Sequence, residues 1–348
     1  MNEFWSGKRV LVTGHTGFKG SWLCEILLRL GADVTGYALV PLNTPNLYTL
    51  CTLSERMTSV YADIRDLASL SDVFVQYEPE VVVHMAAQPL VIDSYASPVY
   101  TYETNIIGTV NILECARQNS SVKSVLNVTT DKVYLNTERE EGYHEDEQLC
   151  GYDPYANSKS CSELVTYSYK KSFLDKNGIA VSTARSGNVI GGGDFAVNRI
   201  IPDCARAAAT GKMIEVRNPF SVRPYQHVLD TLFAYLLVLE KQQQDISLAD
   251  SYNIGPRDSD CAASGNLATL FCKEWAENSG WSDVSQPNTL HEDKFLRLNC
   301  DKIASTLGWT PVWDIGKAVA ETVKWYKAFY LNGEYIKIMQ QQIEEFLH

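Results

Sequence analysis

The stretch that most limits what this chain can fold into is GHTGFKG, residues 14–20. It ends the apolar run Arg9–Thr13 (RVLVT) and opens a helical pattern through SWLCEILLRLGA. Gly14, Gly17 and Gly20 are spaced as GxxGxxG. Between a strand and a helix this spacing has a physical use. The first glycine lets the chain turn tightly, the second lets backbone N–H groups approach a pyrophosphate, and the third lets helix and strand pack closely, with the anion at the helix N-terminus. A glycine triplet alone is a weak signal that also fits a tight turn without a ligand. The flanking strand and helix favour the nucleotide reading. With the next apolar run, Val34 to Leu39, they make a β-turn-helix-β unit.

The rhythm continues. Ser59 to Asp63, Glu80 to Met85, Val122 to Val128 and Ala180 to Ala184 read as strands. Asp66 to Gln76, Tyr100 to Arg117 and residues 155 to 174 read as helices. Alternation at this pitch predicts an α/β fold, a doubly wound parallel sheet of the Rossmann type. After about residue 185 the pattern gives way to loop-rich segments such as GNVIGGGDFAVNRIIPD. Residues 1–184 are therefore expected to bind a dinucleotide. Residues 185–348 are expected to form mainly a smaller C-terminal substrate lobe, with some segments returning to the first domain.

Ligands of open α/β sheets bind beyond the C-terminal strand ends, and polar residues gather there. Asp63-Ile64 ends the third run, where a carboxylate can accept from an adenine amino group or simply cap the strand end. The end of the second strand, near Ala38, carries no acid, so NAD and NADP both stay open. Thr129, Thr130, Asp131 and Lys132 follow the fifth run. A hydroxyl, an acid and an amine can polarise a sugar hydroxyl, protonate a leaving oxygen and remove a carbon-bound proton. A capped, solvated turn is the plain alternative. Tyr155 and Lys159 form YxxxK, one turn apart on a helix face. A nearby ammonium is expected to lower the phenol pKa, so the tyrosine can exchange a proton with a sugar hydroxyl while hydride moves to a nicotinamide.

Composition narrows the function. The 348 residues carry 30 Lys and Arg against 42 Asp and Glu, a net charge of −12, which argues against nonspecific nucleic-acid binding. The nine cysteines are odd in number and include no CxxC, as expected of reduced thiols. The start MNEFWSGKRVLVTG has no signal-peptide core, and no apolar run nears the roughly 20 residues that span a bilayer. A soluble cytoplasmic protein without membrane attachment is expected. The histidines do not cluster and no HExxH or GxSxG occurs, so no metal site or hydrolase elbow is expected. His15 and His84 read as core or cleft residues rather than catalysts.

The motifs GHTGFKGSW, HMAAQPL, TTDKVYLN, GYDPYANSKSCSEL, RSGNVIGGGDF, RIIPD and RPYQHV resemble the CDP-glucose 4,6-dehydratases, a branch of the extended short-chain dehydrogenase/reductases. The resemblance runs from Phe4 to LGWTPVWD. It implies a lyase with NAD cofactor and a nucleotide-sugar substrate, of the deoxysugar and O-antigen lipopolysaccharide kind. Tyr155 would take the 4-hydroxyl proton, with Thr130 hydrogen-bonded to that hydroxyl. Asp131 would protonate the departing 6-hydroxyl, and Lys132, made less basic by desolvation, would remove the C5 proton. Around the cofactor it implies Gly14, Thr16, Gly17, Phe18, Gly20, Asp63, Ile64, Ala86, Ala87, Tyr155 and Lys159. Around the substrate it implies Gln88, Asn188, Arg199, Arg223 and His227, with the Gly191–Gly193 run letting backbone approach the sugar or phosphates. It also implies a homodimer or dimer of dimers, paired through the helices near 100–117 and 155–174, with Ile106, Val110 and Leu113 fitting a buried face. The chain departs from the pattern at Ile92-Asp93, where arginine is usual, at Val133 in place of cysteine and at Cys150 in place of glycine. An epimerase, decarboxylase or reductase of the same fold is the first alternative, and a non-catalytic cofactor-binding scaffold the second.

Overall fold

A computed structural model describes residues 2–41, 43–275, 279–286, 295–331 and 333–347. Seven parallel strands form one sheet: β1 (Arg9–Thr13), β2 (Asp33–Ala38), β3 (Thr58–Tyr61), β4 (Val81–His84), β5 (Ser124–Val128), β6 (Ala180–Ser186) and β7 (Ser251–Ile254), in the order β7-β6-β5-β4-β1-β2-β3. The strand order reverses at β1, where α/β sheets open a ligand crevice. The central strands are apolar on both faces, as a sheet covered by helices on each side requires. Val10, Val12, Val81 and Val83 join one buried cluster, while Leu11, Val82 and Val125 join the other. On the first face lie α1 (Phe18–Arg29) and, further on, the long apolar helix Val228–Gln244. On the second lie α2 (Leu67–Tyr77) and the helices around Gly108–Gln118 and Pro154–Tyr169.

The remaining helices used below are α3 (Val91–Ala96), α4 (Gly108–Gln118), α5 (Pro154–Tyr169), α6 (Ile200–Ala209), α7 (Val228–Gln244), α8 (Ile315–Leu331) and α9 (Tyr335–Leu347). The helix expected over 100–117 is broken into Pro98–Tyr102, a π-turn at Glu103–Ile107, and α4. The helix expected to reach residue 174 likewise ends in a π-turn at Lys170–Leu174. Strand β7, not foreseen, returns from the second half of the chain to pair with β6.

The C-terminal helix α9 touches both the early and the late parts of the chain. Arg29 of α1 bonds Glu344, and Cys51 meets Met339 at 3.7 Å. On the other side Phe346 packs on Phe233 and Trp313, and Gln342 donates to the Glu321 carbonyl at 2.9 Å. No helix among the described residues is long and apolar enough to cross a membrane.

Candidate active site

The glycine turn divides its labour. Gly14 has φ +74°, and a Cβ there would lie 2.9 Å from the Ala86 nitrogen. A Cβ on Gly20 would sit 2.2 Å from the Gly14 carbonyl oxygen. These two glycines are demanded by packing. Gly17 differs: its nearest neighbour to an added Cβ is the Gly14 oxygen at 3.4 Å, and it is exposed. Gly17 is also the N-cap of α1, and no side chain caps that end. Open amides at a helix start beside an unobstructed glycine fit a pyrophosphate. The Thr16 hydroxyl donates to the Leu39 carbonyl at 3.0 Å, joining the turn to the end of β2.

Beneath the turn, the Thr13 hydroxyl meets His84 Nδ1 at 2.8 Å and accepts from the Met85 and Ala86 amides at 3.0 and 3.1 Å. This orients the Ala86-Ala87 strand exit. His84 is fully enclosed, and desolvation lowers its pKa to about 3. His15 is buried edge-on against Tyr48, its pKa lowered by desolvation to about 4. Both are neutral structural imidazoles.

At the third strand end, the Asp63 carboxylate is taken by Arg65, whose Nη2 lies 2.8 Å away. The bonds from the Arg65 side chain hold the carboxyl below its usual range. Arg65 also bonds Glu103 at 2.7 Å. These side chains line an open depression of about 500 Å³ with Asp66 and Ile107. The Ile64 carbonyl accepts from Asn111 Nδ2 at 3.0 Å.

The proton-transfer candidates converge. Asp153 caps α5 by accepting from the Ala156 amide at 2.8 Å, which sets Tyr155 in the first turn. The Thr130 hydroxyl donates to Asp131 Oδ1 at 2.9 Å, and both residues lie close enough to the Tyr155 phenol to influence its ionisation. Asp131 is buried and Lys132 half-buried. A Cβ on Gly187 would lie 3.2 Å from Asp131 Oδ2, so the exit of β6 closes over the acid. The expected lowering of the phenol pKa is corrected: desolvation pushes Tyr155 up to about 12, opposed by the Thr130 hydrogen bond and the Arg199 charge. Lys159 instead donates to the Val128 carbonyl at 3.0 Å, and its own pKa is lowered to about 8 by burial. Burial outweighs the neighbouring charges at the phenol.

The proposed substrate side chains separate into two groups. Arg199, at the N-cap of α6, pairs with Asp194 at 3.1 Å, and its charge is felt at Tyr155. Arg223 is buried with Nη1 donating to the Val222 carbonyl at 2.9 Å. Asn188 is half-buried, its carbonyl accepting from Gln226 at 3.0 Å. Two of the expected substrate side chains are engaged within the protein. Gln88 spends its amide on Leu90 and Thr101, with Nε2 donating at 3.1 and 3.0 Å, which braces the entry to α3. His227 is fully buried, caps α7 and sits in an aromatic wedge 4.6 Å from Trp313 and 6.1 Å from Trp22. The Gly191–Gly193 run is also packed rather than open, since side chains there would strike Val228, Trp325 and Leu47. Phe18 lies against the same run.

One side chain was not singled out from the sequence. Lys19, inside the glycine turn, lies 3.4 Å from the Tyr235 hydroxyl, which bonds Ser186 at 2.8 Å. Burial and the charges of Lys159 and Arg199 lower its pKa to about 7, with Asp131 opposing. A lysine directly before the third glycine of the turn was the available signal. Among the described residues no cluster of three or more His, Cys, Asp or Glu side chains could hold a metal ion.

Residues 11–322 match the family model for GDP-mannose 4,6 dehydratase. The chain is 41% identical to CDP-glucose 4,6-dehydratase of Salmonella typhimurium, over 99% of this chain and 98% of that protein. It is 30% identical to dTDP-glucose 4,6-dehydratase of Streptomyces antibioticus, over 91% and 92%. Among solved structures it resembles DesIV, the dTDP-glucose 4,6-dehydratase of Streptomyces venezuelae with NAD and TYD bound. That match has a TM-score of 0.79 and 26% identity, and covers 95% of this chain and 99% of that one.

Proposed function

This chain belongs to the GDP-mannose 4,6 dehydratase family, and from that premise we propose that it is an NAD-dependent hydro-lyase converting CDP-D-glucose to CDP-4-keto-6-deoxy-D-glucose. The observation that carries the reading is the meeting of Tyr155, Thr130 and Asp131 at the sheet edge that also bears the glycine turn. The likeness to the Salmonella enzyme, over nearly the full length of both chains, points to the cytidine nucleotide and glucose.

Bound NAD supplies a hydride acceptor that returns the same hydride after water has left. The protein residues handle protons and position. Tyr155 must act as the phenolate, against the burial that favours its neutral form, to accept the proton of the sugar 4-hydroxyl, which Thr130 holds by a hydrogen bond. The C4 ketone so formed acidifies the C5 hydrogen. Lys132 removes that proton, and Asp131 gives one to the departing 6-hydroxyl. Water is lost, C6 gains the hydride, and C5 regains a proton, so the net reaction is loss of one water. Lys159 holds the cofactor side of the cleft. Arg199 and Arg223 suit the diphosphate, since guanidinium forks match phosphate oxygens. Asp63 and Ile64 frame the adenine end, once Arg65 shares its partner. We retain the partition at 184/185 between cofactor and substrate halves, with β7 and α7 returning to the sheet.

The reading also makes the protein a cytoplasmic homodimer. Val99 and Ile107 precede α4, and Leu164 and Tyr167 lie on α5; they are 68%, 48%, 56% and 64% exposed. Apolar side chains of that exposure on adjacent helices suit a partner face. Leu113, by contrast, is fully buried within the protomer.

Purified protein given CDP-glucose and NAD should yield a product lighter by one water. An unchanged mass would indicate an epimerase, and loss of carbon dioxide a decarboxylase. Absence of turnover with every nucleoside-diphosphate hexose would defeat the proposal.

A further inference from the structure

We infer that Glu163, one helical turn beyond Lys159, is a positioning residue that clamps the strand-end segment bearing Thr130 and Asp131 against α5. The inference rests on the dehydratase reading and adds a residue to it. Glu163 is 3% exposed, and its two oxygens are divided between strands. Oε1 accepts from the hydroxyl of Thr129, the residue directly before Thr130. Oε2 accepts from Thr183 at 2.7 Å and from Arg185 at 3.0 Å, both on β6. Arg185 continues to the Tyr134 hydroxyl and the Glu145 carbonyl, each at 2.8 Å, and Tyr134 donates to Asn253 of β7 at 2.6 Å. A buried carboxylate is tolerated only when paired and hydrogen-bonded, and a satisfied buried network is rigid.

The geometry defines what the clamp does. Lys159 holds the carbonyl of Val128, and Glu163 holds the side chain of Thr129. Consecutive residues at the end of β5 are thus gripped by two side chains one turn apart on the helix that carries Tyr155. The separation of Tyr155 from Thr130 is set by that double grip. Glu163 spends both oxygens on Thr129, Thr183 and Arg185, so it acts through Thr129 and its neighbours. A misplacement of about 1 Å in such a site can lower turnover roughly 100-fold.

The test centres on Thr129→Val, which keeps the side-chain shape and removes the hydroxyl that Glu163 holds. Turnover should fall about 10- to 100-fold with KM for the nucleotide sugar little changed. Thr129→Ser should restore it. Glu163→Gln, which also removes the ion pair with buried Arg185, should lower turnover at least as far as Thr129→Val. Amide exchange over residues 130–133, followed by mass spectrometry, should quicken in Thr129→Val and return to normal in Thr129→Ser. A folded Thr129→Val with wild-type turnover, or with unchanged exchange at 130–133, overturns the inference. Should Glu163→Gln fail to fold, the two Thr129 variants decide alone. The turnover ratio is read on whichever nucleotide-linked hexose the wild type accepts. A wild type inert towards all of them defeats the dehydratase reading, while the exchange measurement still judges the clamp.

Discussion

An alanine at Gly17 adds one methyl group where the structure leaves space, 3.4 Å from the nearest atom and at an ordinary φ of −80°. Stability without cofactor should change by no more than about 0.5 kcal/mol. The same methyl at Gly20 falls 2.2 Å from a backbone oxygen and 2.8 Å from His15 Cα. Neither neighbour is the end of a flexible side chain, so the turn itself must shift, at about 1–3 kcal/mol or more. At roughly 2 °C per kcal/mol for a chain this long, Gly20→Ala should melt several degrees lower without cofactor, and Gly17→Ala should not. NAD brings out a loss at Gly17 that the cofactor-free melt does not show. At about 100 times its Kd, a ligand stabilises the wild type by about 2.7 kcal/mol. If the methyl blocks the pyrophosphate and weakens binding tenfold, about 1.4 kcal/mol of that remains. Thermal melts with and without NAD, with calorimetric Kd values, measure both effects. Wild-type NAD affinity in Gly17→Ala, or equal thermal losses in the two variants, would refute the division of labour drawn from the glycine geometry.

Tyr155→Phe should lower turnover about 10²- to 10⁴-fold while NAD affinity, measured by calorimetry, stays within a few-fold. Tyr167→Glu places a charge on the exposed face of α5 and should convert a dimer to a monomer, read by light scattering after size exclusion. Asp230 accepts from the Val312 amide at 2.6 Å, yet burial raises its pKa from 3.8 to about 6. Its folded pKa lies above the unfolded one. Its contribution is therefore fully present below about pH 4 and is lost as pH rises through 6. The stability difference between wild type and Asp230→Asn should fall over that window, by at most about 3 kcal/mol, in urea melts across pH. A difference that is flat with pH would remove Asp230 from the account.

The parts of this molecule that sequence reveals are the local ones. The run RVLVT, the glycine turn and α1 announce themselves because strand period, turn chemistry and helix period follow one another within a few residues. Tyr155 and Lys159 are visible for the same reason, being one helical turn apart. β7 was missed because SYNI is four residues long, and its pairing with β6 bridges a long stretch of chain. Lys19 acquires its setting from Tyr235, 216 positions away, which no motif encodes. The setting of His227 is not legible either, because a histidine in a polar motif reads as a cleft residue. Only the packing of Trp22 and Trp313 around it shows a cap inside the core. The pKa direction at Tyr155 was misjudged because spacing reveals a neighbouring charge but not the loss of water around the phenol.

The placement of α9 bears on how the molecule comes apart. Its Glu344 and Met339 fasten to the half of the chain before residue 185, while its Phe346 and Gln342 fasten to the half after it. Peeling this helix off would expose apolar surface on both sides at once, so neither half can melt while the other stays intact. Heating should therefore give one calorimetric peak whose width matches its area, as in a single cooperative unit.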